Sequence, residues 1–145
     1  MPPIATPFPE PDFHFSDPAR DAQYWRLYAE EERALAVFRE SVHAVRRAIF
    51  PDPARPSVPV QIGTPGWLGA RSAVVRAMRD RRATRDAFMA MIAFVGRERP
   101  RLPQAEAEYA LDIRHVAEMT LQGMSDTLVD LLARLAGITV SEWPA

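Results

Sequence analysis

No cysteine, lysine or asparagine occurs in this chain of 145 residues. Without cysteine it forms no disulfide, thiolate nucleophile or cysteine-ligated zinc site. With no lysine, all 18 basic residues are arginine. Lysine and asparagine use A-rich codons, whereas the abundant arginine, alanine and proline use G- and C-rich ones. The pattern is that of a high-GC genome, with a bacterium or a phage of one as the expected source. Long apolar runs are missing too, so no stretch approaches the roughly 18 residues that cross a bilayer. The first 20 residues carry six prolines and several acids rather than a basic start followed by an apolar run, so no signal peptide is read there. The cytoplasm is the expected location.

Catalytic signatures are equally scarce. There is no G-x-S-x-G elbow, no phosphate-cradling glycine loop and no H-E-x-x-H. The three histidines, His14, His43 and His115, are scattered and suggest no triad. No cofactor is expected. A formal net charge of −1 argues against a dedicated nucleic-acid binder, whose domain is usually clearly basic.

What the chain does contain is two long apolar seams. The first runs Tyr24, Tyr28, Glu31, Leu35, Phe38, Val42, Val45, Ile49, and the second runs Ala110, Ile113, Ala117, Leu121, Met124, Leu128, Leu131, Leu135. Both advance by alternating threes and fours, the spacing that keeps residues on one face of an α-helix. The expected fold is all-α, an antiparallel bundle of three to four helices. Its expected layout is an extended proline-rich arm over residues 1–16 and a single helical bundle domain over 17–145.

Helix boundaries follow from capping residues. Ser16 can cap a first helix that Pro51 and Pro53 stop. Residues 51–63, with Val58, Val60 and Ile62, read as an extended strap. Thr64 and Pro65 suit the N-cap and first position of the next helix. Arg81 and Arg85 then fall on the apolar stripe unless the helix breaks, and Thr84 can cap a new segment, so a break at Ala83-Thr84 is expected. The alternative is a buried layer in which these arginines reach Glu31 or Glu106. A last helix over 104–136 should end near Gly137.

Three groups are candidates for function. Phe8, Phe13 and Phe15 on the arm, with Trp25 at about 140° from its seam, are large apolar groups suited to a protein contact. Removing residues 1–15 is expected to leave the bundle folded, since both seams lie outside the arm. Arg76, Arg79 and Arg82 belong to a segment whose local charge is +4 and are the anion-binding candidates. Glu40 with His43, and Asp112 with His115 and Glu118, repeat the carboxylate-to-histidine spacing by which ferritin-like bundles hold metal. At 100° per residue, however, these pairs lie about 140–160° from their seams, and they read as solvated surface with metal as the alternative.

The expected function is that of a non-catalytic helical interaction protein, either an accessory or assembly subunit or a self-associating bundle. The alternatives are a metal-binding bundle and a regulator binding an anionic partner through its arginine-rich helix. The expected partner is a protein or a second copy, with no membrane and no nucleic acid.

Overall fold

The computed structural model describes residues 13–124 and 127–138, with the side chains at 127, 128, 130 and 131 excepted. It is mostly helical, with no strand among the described residues. The elements are α1 (Pro18–Ile49), α2 (Pro65–Glu98), a 3-10 turn at Arg99–Arg101, α3 (Gln104–Gly123) and α4 (Thr127–Leu135). No helix among the described residues is long and apolar enough to cross a membrane.

Within the span read as one domain, 17–145, contacts gather into two compact units. One joins the residues up to Glu32 with Arg85–Gly123, and the other joins Arg33–Thr84 with the residues from Met124 onward. The first unit has an aromatic core in which Phe15, Tyr24, Met91, Phe94, Val95 and Ala110 are buried. The second has an aliphatic core built from Val45, Ile49, Val74, Ala77, Leu132 and Ala133. The first seam therefore feeds both cores, Tyr24 at one end and Val45 and Ile49 at the other.

The ends of the helices show which local signals prevailed. Asp17, rather than Ser16, opens α1. Its Oδ1 accepts the Ala19 N–H at 3.3 Å and its carbonyl accepts the Asp21 N–H at 2.9 Å. Ser16 is engaged elsewhere, donating its N–H and its hydroxyl to the two carboxylate oxygens of Glu106 at 2.7 and 2.8 Å. Thr64 caps α2 as the sequence suggests, with its Oγ1 accepting the Trp67 N–H at 3.2 Å. The strap is tied at Val60, whose N–H donates to the Ile49 carbonyl at 2.7 Å. Gly137, at φ 72°, ends the α4 region in a Schellman turn. There Ile138 N–H donates to Ala133 O at 2.8 Å and Gly137 N–H to Arg134 O at 3.0 Å.

Two expectations about helix breaks are corrected. Helix α2 runs unbroken through Ala83-Thr84. Thr84 is fully buried inside it, and its hydroxyl lies 2.8 Å from its own helix's Asp80 O and 3.0 Å from Ala34 O of α1. A threonine hydroxyl can back-bond the carbonyl four residues earlier, so a residue that favours caps is accommodated mid-helix. The arginines are therefore not freed by a break, and the two differ. Arg85 is exposed and Arg81 half-buried on a continuous helix. The Arg81 head is not released to water, since its Nη1 is enclosed by the protein. Glu106 meanwhile binds Ser16. Replacing Thr84 by valine keeps the shape and removes the shared donor. Denaturant melts should show a loss of about 1 kcal/mol.

The second correction is that the last long helix is two helices, α3 ending at Gly123 and α4 beginning at Thr127. The break resets the phase of the seam. Ala110, Ile113 and Ala117 are buried as expected, but among the described side chains of α4 Val129, Leu132 and Ala133 are buried, while Leu135 is 47% exposed.

Candidate interaction face

The first half of α2 turns one face to the core of its unit and the other to water. Ala70, Val74, Ala77 and Met78 are buried, which sets the direction of the opposite side. On that outer side, Leu68, Arg71, Ser72, Val75, Arg76 and Arg79 recur at i, i+3, i+4, i+7, i+8 and i+11, the spacing of a single helical stripe. They border a shallow space of about 420 Å³ that is open to solvent. Leu68 leaves 58% of its surface in water, far more than a leucine covered by its own fold. The stripe holds three guanidinium groups and no acid, over about 12 Å of helix axis between Arg71 and Arg79. Guanidinium groups bind carboxylates through paired hydrogen bonds, and the apolar stems of the stripe offer contact area beside them.

Of the anion-binding candidates, Arg76 and Arg79 border this space, and Arg82 is exposed three residues beyond Arg79. Arg71 belongs to the same +4 segment, and Leu68 and Val75 complete a face not recognised from sequence. A search for apolar seams passes over it, because Arg71 and Ser72 separate Leu68 from Val75 on the stripe. The recurrence is visible only when the arginines are counted with them.

The arm residues have a different environment. Phe13 stacks on Tyr109 with ring centroids 3.6 Å apart. Phe15 is 3% exposed and packs edge-on against Tyr24 at 5.3 Å and Phe94 at 6.2 Å. The backbone here is pinned by Asp21, which accepts the Phe15 N–H at 2.9 Å and lies 2.8 Å from His14 Nδ1. Burial opposes ionisation of Asp21, but the His14 hydrogen bond, the Phe15 N–H and the Trp25 side chain outweigh it and hold the carboxyl below its usual range. Trp25 is half-buried, edge-on to Tyr24 at 5.0 Å and Tyr28 at 5.5 Å. Phe8 lies outside the described residues.

Glu31 is the anomaly the seam announces, and it is buried, 6% exposed. Burial, with a smaller contribution from the Glu32 carboxylate, pushes its carboxyl up to about 8. At neutral pH it is therefore mainly protonated. Burial also pushes up the hydroxyls of Tyr24 and Tyr28, and Glu31 adds to both rises. The Tyr24 hydroxyl is enclosed, with no hydrogen-bond partner among the described residues.

The residues of the metal alternative lie on exposed helix surface. Glu40, His43, Asp112 and His115 are all exposed, Glu40 lies 3.9 Å from Arg47, and Glu118 accepts from Arg114 at 2.8 Å. Among the described residues no three histidine or acidic side chains converge at a spacing that could hold an ion. Replacing His43 and His115 by alanine should leave stability within about 0.5 kcal/mol per site. Near-stoichiometric iron, manganese or zinc in the wild type, lost in that double variant, would contradict this placement.

No family model, curated protein or solved structure matches the chain.

Proposed function

We propose that this chain is a non-catalytic helical interaction protein, built as an antiparallel bundle, that works by presenting the outer face of α2 to a partner. The observation carrying the reading is the pairing of Leu68, at 58% exposure, with three arginines on one stripe. Apolar groups left in water beside guanidinium groups are the composition of an interface centre. The antiparallel arrangement is supported within the second unit, where Thr84 bonds Ala34 and Asp80 accepts from Ser41, so α1 ascends in number as α2 descends.

The test is the native size of the protein in extract of the cells that make it. The wild type should run well above the mass of one chain. The double variant Arg76→Glu/Arg79→Glu, whose changes lie on exposed positions, should run smaller. A wild type that runs as a single chain in extract contradicts the reading.

A further inference from the structure

Helix α3 carries an outer stripe that complements the one on α2. Its residues Glu108, Leu111, Asp112, His115 and Met119 are all exposed, at i, i+3, i+4, i+7 and i+11. Leu111 is 43% and Met119 56% exposed, while the opposite side of the helix buries Ala110, Ile113 and Ala117. This stripe is acidic and apolar where the α2 stripe is basic and apolar. Their lengths agree, since Leu68 to Arg79 and Glu108 to Met119 each span about three turns, roughly 17 Å of axis.

We infer that the partner of the α2 face is the α3 face of a second copy of this chain. The inference rests on the interaction reading above and names its occupant. Laid antiparallel, the two stripes keep one register throughout. Leu68 meets Met119, Val75 meets Leu111 and Asp112, and Arg79 meets Glu108, with Ser72 opposite His115. The Leu68–Met119 contact then closes one end and Arg79–Glu108 the other, and Arg76 falls beside Asp112. A parallel arrangement sets Leu68 against Glu108 and Arg79 against Met119, which breaks every match. Nucleic acid is the less suitable occupant, because Leu68 and Val75 offer a duplex backbone nothing and no aromatic ring joins the stripe for base stacking. The two faces differ, so each contact pairs unlike faces of two copies. Each copy carries one face of each kind.

A contact of three turns per side belongs to the small, weak class of interfaces. It is therefore measured with the purified chain at about 10–300 µM by sedimentation equilibrium. The wild type should gain mass with concentration at low salt and lose it near 0.5 M salt, about where exposed charges are screened within a few ångströms. Arg76→Glu/Arg79→Glu makes both faces acidic, and Glu108→Arg/Asp112→Arg makes both basic. Each variant alone should associate at least about tenfold more weakly, and a 1:1 mixture should regain the wild-type association. Circular dichroism verifies that both variants keep the helical content of the wild type. Arg76→Gln/Arg79→Gln, which removes charge without reversing it, should fall between.

Three results would overturn the inference. One is a wild type that keeps the mass of one chain throughout. Another is a mixture that does not recover association. The third is wild-type protein that binds a short DNA duplex more tightly than it binds itself. A purified chain that stays single while its complex in cell extract persists would remove the second copy as partner and leave the interaction reading standing. Single chains in both settings would remove both.

Discussion

Wild-type protein should become less stable as the pH rises from about 5 to 8, and Glu31→Gln should abolish that loss. The cause is the buried Glu31 carboxyl, raised from 4.5 to about 8, chiefly by burial and then by Glu32. A carboxyl whose folded value lies above its unfolded one keeps its proton in the folded chain while the unfolded chain has released it. Its stabilisation is complete below the unfolded value and disappears as pH climbs toward the folded one. By pH 7 the difference amounts to about 3 kcal/mol, at about 1.4 kcal/mol per unit. Glutamine occupies the same space and never ionises, so the variant should be the more stable protein at pH 7 by a similar amount. Urea melts of both proteins across this range measure it. The difference between the two proteins isolates the contribution of Glu31. Parallel curves would show that Glu31 ionises in the fold as it does in water.

Phe15→Ala should cost about 3–5 kcal/mol, the usual loss for an aromatic removed from a packed core. Phe15 touches Tyr24 and Phe94 edge-on and is 3% exposed. Asp21 and Glu106 hold the backbone on either side of it through the Phe15 and Ser16 N–H groups. A truncation removing residues 1–15 takes this ring and Phe13 from the core of the first unit. That cut should therefore destabilise the first unit, in place of the expectation that the bundle tolerates it. Thermal melts of Phe15→Ala decide the point, and a shift of a degree or two would mean that the ring covers the core without belonging to it.

The helices that were read from sequence were those whose signals are local. Thr64 and Pro65 open α2 and Gly137 closes the α4 region, because a cap or a positive φ is decided by a few neighbouring atoms. Thr84 was misread for an equally physical reason. Its hydroxyl serves a cap or a mid-helix carbonyl with the same chemistry, and the choice is made by Ala34, fifty residues away. The break between Gly123 and Thr127 escaped because an interruption of a few residues leaves apolar spacing intact while rotating the buried face. Burial of Glu31 was readable as a seam position, but whether a cation would meet it was not. Of the interaction face, Arg76 and Arg79 were recognised by charge. Leu68 and Val75 were not, since periodicity marks a face without saying which side of the helix the core takes.

The most direct measurement exploits the absence of cysteine. Antiparallel contact between α2 of one copy and α3 of another sets residue 72 opposite residue 115, both on exposed positions. Ser72→Cys and His115→Cys chains, mixed under mild oxidant, should form a mixed disulfide at least about tenfold faster than Ser72→Cys mixed with Glu40→Cys, whose cysteine lies off both faces. Cross-linking of this kind requires Cα atoms within about 7 Å, so it reports register as well as proximity. The account predicts the 72–115 bond as the dominant product, suppressed by high salt. Equal rates for the two mixtures would contradict it.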